Sequence, residues 1–112
     1  DTIYLDGLWY YNPDNLHLQG EEGVIALDFT ASEVNIVADN LNNVDKTEME
    51  VLIDGNFVSE ENAGDDVIFD GNRAYVVVDT ARLYNVYRGE YGNYRLDLKV
   101  TKDFSFNAFT FG

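Results

Sequence analysis

In Tyr94-Arg95-Leu96-Asp97-Leu98-Lys99-Val100-Thr101, apolar and polar side chains alternate without a break. A β-strand turns successive side chains to opposite faces, whereas a helix brings together positions three and four apart. The run therefore fits a half-buried strand with Tyr94, Leu96, Leu98 and Val100 on one face. The same period sets Met49, Val51 and Ile53 opposite Glu48 and Glu50, and puts Ile25, Leu27 and Phe29 on one side of residues 23–30. Residues 33–39 and 73–79 read as two more strands, with Val34, Ile36 and Ala38, then Ala74, Val76 and Val78, on single faces. No stretch of a dozen residues keeps apolar positions at helical spacing.

Turn chemistry agrees with strands. Asp54-Gly55 lies between Val51-Leu52-Ile53 and Phe57-Val58, and an Asp-Gly pair accepts the positive φ angles of tight hairpin turns. Asp70-Gly71, between Val67-Ile68-Phe69 and Ala74-Tyr75, predicts a second hairpin with one or two extra loop residues. Asn12-Pro13-Asp14-Asn15 holds the only proline and reads as a surface turn. The last segment, residues 104–112, begins on one parity and shifts at Ala108-Phe109. Such a shift fits a bulge or a strand buried on both faces, and a central strand is expected here. The polar stretches 39–46 and 59–66 read as loops. Eight or so short strands joined in this way predict an all-β domain of two antiparallel sheets packed face to face, with a closed barrel as the alternative.

A chain of 112 residues forms one core, and with 46% hydrophobic residues it is too apolar to stay unfolded despite its charge. The longest apolar run, Ala74-Tyr75-Val76-Val77-Val78, is far short of the roughly 20 residues a membrane-spanning helix needs. Asp1 in place of Met suggests a fragment of a longer chain or a processed product. The absence of Cys excludes a disulfide, a thiolate nucleophile and a Cys-ligated metal. The net charge of -14 is one-sided: residues 1–72 carry -16, with Lys46 as their single base, and residues 73–112 carry +2. Such a field repels phosphate backbones, so neither nucleic acid nor an anionic membrane is an expected partner.

Five segments resemble a known family. They are Asp6-Gly7-Leu8-Trp9, the run from Leu27 to Val37, Val51-Leu52-Ile53-Asp54-Gly55, Arg82-Leu83-Tyr84-Asn85-Val86 and Ala108-Phe109-Thr110-Phe111-Gly112. Together they are similar to the C-terminal domain of DipZ-type cytochrome c biogenesis and thioredoxin-like proteins. The resemblance implies a jelly roll like those of carbohydrate-binding modules and galactose-binding-like domains. It also implies a place after a thioredoxin-like domain on the non-cytoplasmic side of a bacterial membrane, and no catalytic residue, because the family's redox cysteines lie in the preceding domain. Residues 12–20, polar and containing His17, depart from the Gly- or Ala-rich segment that often follows the Trp block in that family.

The residues themselves offer little for catalysis. Acyl transfer needs a nucleophile, a base and an orienting acid, and the chain has Ser32, Ser59, Ser105 and a single His17, with no Gly-x-Ser-x-Gly elbow. Among 21 acidic residues a pair at glycosidase spacing arises by chance and carries no weight. A structural calcium could draw on Asp65, Asp66 and Asp70, or on Asp39, Asn40, Asn42 and Asp45, although neither set has EF-hand spacing. No cofactor and no catalytic or metal residues are otherwise expected. Aromatic rings are the more informative class, since pyranose C–H faces pack on exposed Trp and Tyr. Trp9, Tyr11, Tyr84, Tyr87 and Tyr91 are the candidate ligand contacts, with Tyr10 beside them; Tyr94 and all seven Phe are assigned to the core. Arg82 reads as a charge capping a sheet edge. Two functions follow: a module that docks or orients a thioredoxin-like domain, of the same or another protein, and a glycan-binding module using exposed rings.

Overall fold

The computed structural model describes residues 2–41 and 47–112. Its ten strands are β1 (Thr2–Asp6), β2 (Trp9–Tyr11), β3 (Leu16–Leu18), β4 (Glu22–Asn40), β5 (Thr47–Ile53), β6 (Asn56–Phe57), β7 (Ile68–Asp70), β8 (Arg73–Val78), β9 (Arg82–Thr101) and β10 (Phe104–Phe111). All pairings between them are antiparallel.

Two strands define the architecture. At about 3.3 Å per residue, β4 and β9 would each run for ~60 Å if straight, yet the molecule measures 35 × 30 × 22 Å. Both fold over midway, where the β4–β9 ladder slips between Ala31 and Glu33 and again between Val34 and Asn35. Bulges bend strands and increase their twist. The residues after each bend belong to a second layer, so one hydrogen-bonded path makes a sandwich. Sheet one runs β1, the first half of β4, the second half of β9, β5, β8 and β7; sheet two runs β2, β3, β10, the second half of β4 and the first half of β9. The path is open, with free edges, so the barrel alternative is excluded.

The residues 23–30 and 33–39 expected as two strands are therefore one bent strand, β4. Their inward sides remain as the alternation required: Ile25, Leu27, Phe29, Val34, Ile36 and Ala38 are all buried. Phe29, Tyr87 and Tyr94 meet at the bend with ring centroids 5.3–5.7 Å apart and fill the closed end. Burial pushes the Tyr87 phenol up to about 12. Both turn signals are realised. Asp54 and Gly55 both adopt positive φ, at 51° and 89°, and join β5 to β6. Gly71, with φ 60°, opens the two-residue turn between β7 and β8.

Other expectations need correction. β10 does bulge between Phe106 and Ala108, but it is central only at Ser105-Phe106, where β3 covers its other side; beyond the bulge it is largely exposed. Of the seven Phe, Phe57, Phe69 and Phe111 are exposed, because they stand on short edge strands or beyond the bulge. Arg82 does stand at a sheet edge, at the start of β9, but it is not a bare charge there: its guanidinium lies 3.9 Å from the Tyr84 ring centroid and 3.0 Å from Asp66 Oδ1.

Candidate functional site

Tyr84 and Tyr87 cannot present rings to a ligand, since they are 0% and 1% exposed. The Tyr84 hydroxyl donates to Thr80 O at 2.7 Å and accepts from the Asp79 and Thr80 amides, tying the β8–β9 crossover together. Tyr87 belongs to the aromatic closure at the bend. Both lie on the inward side of β9, and bulges there had hidden that parity from the sequence. Trp9 is half-buried: its indole N–H donates to Asp6 O at 2.9 Å, and its ring meets Phe104 and Phe106 edge-on. Tyr11 and Tyr91 are free, at 72% and 73% exposed, but β2 and β9 lie on opposite sides of sheet two with three strands between them. The five rings do not form one surface.

The calcium set Asp65, Asp66 and Asp70 is likewise not assembled, and the second set lies partly outside the described residues. Asp65 and Asp66 are held by Arg88 and Arg82, Asp70 sits in β7, and Asn42 and Asp45 lie outside the described residues. Among the described residues no three His, Cys, Asp or Glu side chains gather to hold a metal. His17, Ser105 and Asp39 do fall in one cross-strand row of sheet two. Their order is wrong for a relay: the serine stands between the imidazole and the carboxylate, whereas a triad needs the imidazole in the middle. The buried Ser105 hydroxyl has no hydrogen-bond partner among the described residues.

A different surface has the shape of a binding site. On the outer face of sheet one, Asp6, Val24, Lys99, Glu50 and Tyr75 form one cross-strand row. Glu22 and Thr101 form the next, with Glu48 hydrogen-bonded to Thr101 beside them. In the flanking row, Ala26 and Leu52 are only 4% and 8% exposed although they lie on the side away from the core, beside their partners Tyr4 and Phe57. The hollow has a volume of about 590 Å³ and is lined chiefly by Asp6, Glu22, Glu48, Glu50, Arg73 and Lys99. Its polar groups are partly fixed in advance. Arg73 donates to Glu50 at 2.5 Å and to Glu48, and lies 4.2 Å from the Tyr75 ring centroid. The hydrogen bond to Glu48, then that to Glu50, raises the Arg73 pKa above its already high ordinary value, so the guanidinium stays charged. The Glu48 amide donates to Thr101 Oγ1 at 2.8 Å. Lys99 is exposed and makes no ion pair among the described residues. At the rim, Tyr4 is 52% exposed and points outward beside Ala26.

Sequence reading missed Tyr4, Tyr75, Glu48, Glu50, Arg73 and Lys99 as possible contacts. The polar half of each alternation was visible, but concavity comes from strand order and sheet curvature, which no local pattern carries.

The fold and this face define the class: an antiparallel jelly-roll-like sandwich carrying an open polar groove. The sequence matches the thioredoxin-like C-terminal domain family over residues 1–112, and the chain belongs to that family. No curated protein matches it. Among solved structures it is similar to a family two carbohydrate esterase from Clostridium thermocellum in complex with cellohexaose, with a TM-score of 0.74 at 17% identity over 99% of this chain. An active-site mutant of a family two carbohydrate esterase from Clostridium thermocellum is equally similar in fold, with a TM-score of 0.74 at 16% identity. A family two carbohydrate esterase from Cellvibrio japonicus gives 0.63 at 11% identity over 95% of the chain. The chain spans about a third of those proteins, 31%, 31% and 30% of their lengths, so the likeness is one of fold.

Proposed function

We propose that the domain is an accessory module that binds an uncharged carbohydrate chain along the outer face of sheet one. The concave groove carries this reading: an open hollow of about 590 Å³ fits a ligand laid across the strands rather than one sealed in a cavity. Hydrogen-bonding groups that other side chains already hold lose little entropy on binding, and Arg73, Glu48 and Glu50 are held in this way. Tyr4 and Tyr75 supply ring faces for sugar C–H groups. The esterase structures that share the fold support the choice of ligand class. Titration calorimetry with a panel of uncharged hexasaccharides, cellohexaose included, tests it. At least one should bind the wild type, and Glu50→Gln should bind about tenfold more weakly. Heat from no member of the panel would remove the proposal.

A second reading rests on β2, a free edge strand with Leu8, Tyr10 and Tyr11 exposed at 67%, 55% and 72% around it. This edge would dock and orient a thioredoxin-like domain, on the non-cytoplasmic side of a bacterial membrane. Tyr11→Ala should then weaken association with that domain while leaving sugar titrations unchanged.

A further inference from the structure

Residues 62–66 lie along the open side of the first half of β9. The Gly64 amide donates to Val86 O at 3.2 Å, the Asp66 amide to Asn85 O at 3.2 Å, and the Arg88 amide to Asn62 O at 3.0 Å. Ala63 faces Tyr87 in an antiparallel bridge. The segment thus stands where the next strand of sheet two would be. Side chains fasten it. The Asp66 carboxylate accepts from Arg82 at 3.0 Å and from the Asn85 amide at 2.7 Å, and Arg88 donates both terminal nitrogens to Asp65 at 3.1 Å. Asn85 Oδ1 accepts from the Asp65 amide at 2.7 Å. Burial works to raise the Asp66 carboxyl, but Arg82 and the Asn85 amide outweigh it and hold the group below the usual carboxylate value. The close approach depends on Gly64, where a Cβ would stand 2.3 Å from Asn85 O.

We propose that the Asn85–Arg88 edge is a strand-addition site for an extended acidic peptide, and that residues 62–66 are its built-in occupant, displaced when such a peptide binds. Three features support this. An edge strand offers unpaired backbone groups to any extended segment of matching register. The side chains at this edge select charge: Arg82 and Arg88 take carboxylates from two successive residues following a glycine. And the occupant is held by polar contacts more than by packing: within 62–66 only Ala63 packs against the core, partly buried, and the Asp65–Arg88 pair is exposed to screening.

The test uses Gly64→Ala, which should push the segment off the edge, and D65N/D66N, which removes its carboxylates and leaves both arginines in place. Hydrogen exchange at the backbone amides of residues 64 and 88 reads the opening and should rise at least tenfold in each variant. A fluorescent peptide with the sequence of residues 60–67 should bind either variant at least tenfold more tightly than the wild type, and its Asn-Asn counterpart should not bind. Faster exchange with no gain in peptide affinity would overturn the proposal. So would exchange that stays slow in both variants, since the segment would then not be displaceable.

Discussion

The first and second halves of β9 belong to one strand yet meet different surroundings. Residues 82–88 bury Tyr84 and Tyr87 inward, and their open edge is taken by the chain's own residues 62–66, with Asn85 only 6% exposed beside them. Residues 93–101 bury Leu96, Leu98 and Val100 inward just as fully, but their outer side chains Lys99 and Thr101 line an open hollow. One strand thus meets two environments, with the bend at residues 88–92 dividing them. Where the strand's edge is taken by the chain itself, polar groups hold the fold together. Where it is open and concave, charged groups are held in position yet remain accessible, which is what a binding surface needs.

The sharpest way to break this division is at the closed end. Phe29→Ala should cost about 3–5 kcal/mol of stability, because it opens a cavity under Tyr87 and Tyr94. Urea unfolding measures this; a loss below about 1 kcal/mol would mean that the aromatic closure does not hold the bend. Asn85→Ala should cost about 1–3 kcal/mol, since it strips partners from the Asp65 amide and Asn35 Oδ1. The Tyr87 phenol sharpens the contrast through pH. Its folded pKa is raised to about 12, so its contribution is intact below the ordinary value of 10.0 and is lost as pH climbs from there through 12. Stability of the wild type should fall across that window more steeply than that of Tyr87→Phe. The smallest effect belongs to the open half: Arg73→Ala should change stability by about 0–1 kcal/mol while weakening sugar binding, because its partners Glu48 and Glu50 keep access to water.

How much of this could be read from residue order differs between the same two halves. Residues 94–101 alternate cleanly, and their strand was plain in the sequence. Residues 82–91 were not assigned to a strand, since Tyr84-Asn85-Val86-Tyr87 are all buried in succession around a bulge and so have no period of two. The loop at 59–66 was visible as polar, but its fastening to β9 was not, because Asp65 and Asp66 meet their arginines only after β9 folds beside them. The candidate rings show the same limit. Composition marks Tyr11 and Tyr91 as aromatic but cannot tell them from Tyr84 and Tyr87, whose burial follows from the bend of β9. The groove was hidden for a related reason: Glu48, Glu50 and Lys99 look like an ordinary solvated face until sheet curvature turns them toward one hollow.

The account stands or falls on which half of β9 meets a carbohydrate. Backbone amide shifts of isotopically labelled protein, followed by NMR during titration with cellohexaose, decide it directly. Movement concentrated at residues 97–101, 48–50 and 4–6, with residues 82–88 unmoved, is the predicted result. Shifts confined to residues 82–91, or none at any residue, would contradict it.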